Sequence, residues 1–217
     1  MIDLHTHTFF SDGELLPSEL VRRAEVMGYT AIGITDHADI SNLDFIIPRI
    51  IEACALVNSK KGIVAVPGIE LTHVHPDDIA ALAAKARSLG ARIIVVHGET
   101  IVEPVKTGTN KKALEADIDI LAHPGLLSDE EAQLAALRGI CLEISARKGH
   151  SLSNGSVAQK ALKFEARLIL NTDTHAPGDL ITLEKAGLIA RGAGLSPDDF
   201  AKMLTNSRAL VEKATGV

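Results

Sequence analysis

The stretch Ile2-Asp3-Leu4-His5-Thr6-His7-Thr8 opens the chain with a short apolar run that ends in a His-x-His pair. A dinucleotide-binding sheet carries a glycine-rich turn at this point, and none is present here. After the first run at residues 2–4, further Ile-, Val- and Leu-rich runs recur at residues 31–34, 63–67, 92–96, 118–122, 140–144 and 167–170. They are nearly continuous rather than alternating, as strands buried on both faces of a parallel sheet are.

Helix-period segments fill the intervals. Pro17 and Pro76 stand in the first turns of segments 17–27 and 76–89, where no amide hydrogen is needed. Ser128-Asp129-Glu130-Glu131 is a capping-box pattern ahead of residues 132–137, and Ser196-Pro197-Asp198-Asp199 starts another helix near the C-terminus. Gly28, Gly90 and Gly139 fall where helices stop. Seven strand–helix units of about 31 residues each account for the 217 residues. Strict alternation predicts an α/β architecture with a parallel sheet, and either a closed barrel or an open doubly wound sheet satisfies it. No Pro-rich linker, low-complexity tract or charge block divides the chain, so one domain over residues 1–217 is expected.

The nine histidines decide the chemistry. His5, His7, His37, His97, His123 and His175 sit at or just past the carboxyl ends of the predicted strands, as do His73 and His75; only His150 lies deeper in a loop. In parallel barrels that end of the strands builds the active site. Asp36, Glu70 and Asp173 stand in the same positions. Imidazole with carboxylate suits zinc, manganese or iron, and the lack of thiolate ligands argues against a structural zinc knuckle. In His5-x-His7 and Asp173-x-His175, side chains two apart share one face, and the two oxygens of Glu70 could bridge two ions. His73 and His75 read as rim residues ahead of the helix opened by Pro76. Arg147, Lys148 and His150 form a basic loop on the same face, suited to binding a phosphate, since a guanidinium offers phosphate a bidentate hydrogen-bonding fork. Glu99 and Asn171 are candidates for supporting groups.

Composition narrows the function classes. The formal net charge is −6, which argues against a binder held to nucleic acid by a general basic surface. With 5 Phe, 1 Tyr and no Trp there is little material for base stacking. Cys54 and Cys141 are too few for a disulfide framework and read as reduced core thiols, which favours a cytoplasmic setting. No run of about 18 apolar residues is present, so no membrane association is expected.

The motifs His5-Thr6-His7-Thr8 with Ser11-Asp12-Gly13, Thr35-Asp36-His37, Gly68-Ile69-Glu70, His97, Ala122-His123-Pro124 and Asn171-Thr172-Asp173-Thr174-His175 resemble those of the polymerase and histidinol phosphatase (PHP) superfamily, on its histidinol-phosphatase-like branch. The resemblance implies a distorted TIM-like barrel of seven βα units with two to three divalent ions (Zn, Mn or Fe) at the carboxyl ends of the strands. It implies a first ion on His5, His7, Glu70 and Asp173. A second would lie on Glu70, His97 and His123, and a third on Asp12, His37 and His175, with Asp36 orienting His37. The activity expected is hydrolysis of a small phosphomonoester, L-histidinol phosphate being the leading named candidate. Glu70, Asp173 and His175 would be catalytic, and Arg147, Lys148 and His150 would bind the phosphate. A nucleotide or nucleic-acid 3′ end and a phosphotyrosyl peptide are alternatives within the superfamily. An amide-bond metal hydrolase and a non-catalytic barrel subunit are alternatives outside its chemistry.

Overall fold

Alternate residues of each strand divide between two apolar compartments, and that division makes the barrel. In β5 (Ile93–His97), Ile93 and Val95 point into an inner cluster with Leu4, Val66, Ile120, Ala122, Cys141 and Ile169. Ile94 and Val96 point outward, into a larger cluster shared with the helices. The computed structural model describes residues 1–216. Its remaining strands are β1 (Ile2–Asp3), β2 (Ala31–Ile34), β3 (His37–Ala38), β4 (Val64–Leu71), β6 (Ile120–Ala122), β7 (Cys141–Ser145) and β8 (Leu168–Asn171). The helices are α1 (Pro17–Val26), α2 (Leu43–Asn58), α3 (Ile79–Ser88), α4 (Thr109–Glu115), α5 (Asp129–Arg138), α6 (Asn154–Phe164), α7 (Leu183–Gly192) and α8 (Pro197–Thr215). The strands pair in parallel in the order β1-β2-β4-β5-β6-β7-β8, with the short β3 continuing the line of β2 against β4.

This is a nearly closed seven-stranded barrel, the distorted TIM-like form the resemblance implies, and not an open sheet. Its seam lies between β1 and β8. There the regular ladder gives way to side-chain bonds: Leu4 N donates to Asn171 Oδ1 (2.9 Å), and Thr172 Oγ1 donates to Asp3 Oδ2 (2.5 Å). Beyond it, Asp173 N donates to His5 O (3.0 Å) and His7 N to Thr174 O (2.8 Å). At the opposite end Leu210, Val211 and Ala214 of α8 plug the barrel floor.

Two expectations need correction. The strand expected at residues 63–67 runs on to Leu71, so Glu70 belongs to the strand instead of following it. Pro67 is tolerated because its backbone faces β5, where its carbonyl accepts from Arg92 N (2.8 Å) just ahead of the β4–β5 ladder that begins at Gly68 and Ile93, so no ladder donor is required of it. The segment expected as one helix over residues 76–89 begins with a 3-10 turn, Pro76–Asp78, before α3.

Candidate metal centre

Strand parity delivers part of the site. Val64 and Val66 of β4 face the barrel interior, so Glu70 does too, and the interior parity of Cys141 carries Glu143 inward on β7. His97 continues the inward row of Ile93 and Val95. His123 is different: its parity after Ile120 and Ala122 points outward, and a left-handed φ of +27° redirects it. Non-glycine residues rarely adopt this region and tend to do so where function holds them. His73 (φ +53°) and Asp173 (φ +53°) share the trait, and Glu165, which ends α6, is the fourth such residue among those described.

The first predicted ligand set converges. His5 Nε2 lies 3.2 Å from Glu70 Oε1 and 3.7 Å from Asp173 Oδ1; His7 Nε2 lies 3.1 Å from Asp173 Oδ1 and 3.8 Å from Glu70 Oε2. The third set converges as well. Asp12 Oδ1 stands 3.2 Å from His175 Nε2 and 3.5 Å from His37 Nε2, and the two Nε2 atoms are 3.4 Å apart. In the second set His123 Nε2 is 3.7 Å from Glu70 Oε1, and the His97 and His123 ring centroids are 4.4 Å apart. The ends of β1, β3 to β6 and β8 thus bring all nine predicted ligands to one place.

Seven buried side-chain atoms in this region have no hydrogen-bond partner: His5 Nε2, His7 Nδ1 and Nε2, Glu70 Oε1, His123 Nδ1, Glu143 Oε1 and Asp173 Oδ1. A buried polar atom left unpaired costs about 1–3 kcal/mol. Every such atom among the described residues lies in this one cluster, whose imidazole and carboxylate chemistry fits divalent ions. The donor set therefore fits the metals the resemblance implies.

The electrostatics agree. Burial opposes protonation of His5, but Glu143, Glu70 and Asp173 outweigh it and hold its pKa well above the usual imidazole range. Burial, with the nearby His37, holds His7 well below that range, and burial with His97 does the same to His123. Burial also opposes ionisation of Glu70, yet His5 and His37 keep it well below the usual carboxylate range. Asp173 is pushed up to about 7, chiefly by burial and despite the countering His5.

Supporting groups fix these side chains. Glu143 accepts from His5 Nδ1 (2.8 Å) and from Asn171 Nδ2 (2.9 Å), an arrangement that fixes an imidazole tautomer and presents Nε2 to an ion. Asn171 was anticipated from sequence; Glu143 was not. Asp36 accepts from Thr8 N, Thr8 Oγ1, Ser11 N and Ser11 Oγ at 2.7–3.1 Å. It thus orders the turn that carries Asp12, while His37 is held instead by Thr72 Oγ1 (2.6 Å). Gly13 completes that turn, because a Cβ there would meet the His7 carbonyl oxygen at 2.5 Å. Glu99 lies outside the cluster and accepts from Gly108 N and Asn110 N at the start of α4.

The cluster opens into a cleft of about 250 Å³ lined by Asp12, His37, Thr72, His73, His97, Glu103, Arg147, His150, Asp173 and His175. Arg147 reaches it, with Nη1 donating to Asp173 O (3.0 Å). Lys148 is exposed. His150 is buried, with its Nδ1 2.8 Å from Thr100 Oγ1, and burial lowers its pKa to about 4. His73 and His75 are exposed on the rim, as expected, and His75 Nε2 meets Lys106 Nζ at 2.7 Å. Glu103, which sequence reasoning missed, lies 3.1 Å from His97 Nε2. A larger groove of about 440 Å³ between α6 and α8 has no comparable donor set.

Comparison with known proteins places this geometry in context. An uncharacterized protein of Methanocaldococcus jannaschii is 48% identical over 206 residues, covering 93% of this chain and 94% of the relative. A chain in the cryo-EM structure of archaeal ribonuclease P with mature tRNA shares the fold at a TM-score of 0.75 and 16% identity, covering 99% of this chain and 91% of that one. Histidinol phosphate phosphatase from Lactococcus lactis, crystallised with zinc, L-histidinol and phosphate, shares it at a TM-score of 0.63 and 16% identity, covering 90% and 94%. The PHP domain family matches residues 3–164, so the chain, whose own motifs lie on the elements that gather the donor cluster, belongs to the PHP domain family.

Proposed function

We propose that the protein is a metal-dependent phosphoesterase that hydrolyses a small phosphomonoester, with L-histidinol phosphate the leading candidate. The observation that carries this reading is the buried, unpartnered donor set of His5, His7, Glu70, His123 and Asp173 beneath a cleft reached by Arg147. The family match supports it. His5, His7, Glu70 and Asp173 would hold one divalent ion; Glu70, His97 and His123 a second; and Asp12, His37 and His175 a third. Such ions supply Lewis acidity toward phosphoryl oxygens.

The chain's own residues do the rest. Arg147 is oriented through the Asp173 carbonyl, which leaves guanidinium N–H groups free to take a phosphate oxygen and stabilise charge there. His175 Nδ1 lies 2.9 Å from the same carbonyl and 2.8 Å from Arg147 Nη1, contacts that hold the ring with Nε2 3.2 Å from Asp12 Oδ1. Glu70 points Oε1 at His5 and Oε2 at His37, and would be the carboxylate shared between ions. Lys148, exposed and next to Arg147 in the chain, would add positive charge for the incoming phosphate.

The ribonuclease P likeness favours a second reading, a barrel serving as a subunit of an RNA-containing assembly. A scaffold would have no use for a buried donor set, and the negative net charge gives RNA little general attraction. Phosphate release decides. The protein is assayed against L-histidinol phosphate, a nucleoside 3′-phosphate, a phosphotyrosyl peptide and an oligonucleotide, with metal content measured on the same sample. Release from L-histidinol phosphate supports the leading candidate; metal-loaded protein that releases phosphate from none of them, and no nucleotide from the oligonucleotide, overturns the phosphoesterase reading.

A further inference from the structure

The nine motif residues leave one part of the cluster without a role. Glu103, in the loop between β5 and α4, points its Oε2 at His97 Nε2 (3.1 Å) and His73 Nε2 (3.3 Å), and its Oε1 at His150 Nε2 (3.4 Å). His150 is buried, and its ring stacks on that of His123 with centroids 4.0 Å apart. In two of these rings the other nitrogen is already engaged by an oxygen outside the cluster. His97 Nδ1 faces Gly98 O (3.1 Å), and His150 Nδ1 faces Thr100 Oγ1 (2.8 Å). Each therefore keeps Nε2 for the interior. Three imidazole Nε2 atoms thus gather about the two oxygens of one carboxylate. Ligands at about 2.0–2.1 Å from a tetrahedral centre stand roughly 3.3–3.4 Å from one another, close to the spacing seen around Glu103. Donor atoms of His97, His123 and His150 also lie within 4.8 Å of one another.

We propose that Glu103 and His150 are protein ligands of the ion faced by His97 and His123, closing that site with two residues the family motifs do not supply. The inference rests on the metal-dependent reading of the centre. A further anionic ligand lowers the net charge of the site, and a fourth and a fifth protein donor, beside Glu70, His97 and His123, reduce the coordination positions left for substrate. The ion bound there would be the more firmly held and the less exposed to the reacting phosphate.

The test is metal retention by the full chain, measured by elemental analysis after dialysis against graded chelator, for the wild type, Glu103→Gln and His150→Gln. Thermal unfolding shows that each variant is folded, and half-exposed Glu103 provides the variant least prone to misfold. Each variant is expected to lose one ion at a chelator concentration at least about tenfold below the wild-type threshold. The visible spectrum of the cobalt-loaded protein should change with it. Wild-type protein that retains no ion overturns the metal-dependent reading itself. Wild-type protein that retains ions, with either variant matching its threshold and cobalt spectrum, overturns this inference alone. So does a His150→Gln protein that keeps every ion but is no longer inhibited by inorganic phosphate, which would put His150 on the phosphate.

Discussion

Glu143 shows how one side chain sets the quality of the centre. Its carboxylate holds His5 through Nδ1, so Glu143→Ala should weaken metal retention by about 10–100-fold while the barrel still folds, and Glu143→Gln should recover part of the loss. Chelator competition on the three proteins checks this. Arg147→Ala should raise KM for a phosphate substrate and weaken inhibition by free phosphate, with ion content unchanged; steady-state kinetics with elemental analysis would separate the two effects. The clustered histidines were legible in the sequence because they interrupt apolar runs at repeated strand ends, where few other reasons would place them. Glu143 was hidden between Leu142 and Ile144 in a run read as core, although an acid on the inward parity of a buried strand was a usable signal. Glu103 sits in an irregular loop with no period to reveal it.

Among the elements, β4 carries the greatest burden, because it pairs with β2, β3 and β5 and presents Glu70 at its inward row. The sequence showed its first half and lost the second at Pro67, since a proline reads as a strand end unless the neighbour it faces is known to begin pairing only beyond it. The broken β2–β3 line follows from tertiary pairing with β4 and left no local mark. On the floor side, Asp119 ties three elements together. It accepts from Arg87 of α3 (2.5 Å), from Ile94 N of β5 (2.8 Å) and from Lys213 of α8 (2.8 Å). Asp119→Ala leaves the Arg87 and Ile94 donors unpaired and should lower stability by about 2–3 kcal/mol. Because the floor is remote from the ligands, ion content should stay at the wild-type value; denaturant unfolding with elemental analysis checks both halves.

For the molecule as a whole, ion loading and proton binding oppose each other. In the metal-free chain the carboxylates around His5 hold its pKa well above 6.5, and Asp173 is pushed up to about 7, mainly by burial. At pH 7 His5 is therefore protonated and Asp173 partly so, and both must lose protons to become ligands. Loading at pH 7 should release on the order of one proton or more, and affinity should rise with pH until His5 no longer binds a proton. Calorimetry in buffers of different ionisation enthalpy measures the release; heat independent of buffer would contradict it. No helix among the described residues is long and apolar enough to cross a membrane. The seam between β1 and β8 has a mechanical meaning. His5 and His7 stand on one lip and Asp173 on the other, about 170 residues apart in the chain. An ion shared by the two lips would be a clasp that fastens the start of the chain to its last strand, where the backbone ladder is thinnest. Stripping the ions should loosen that join before any other part of the wall, and amide exchange at Leu4, His7 and Asp173 should quicken first.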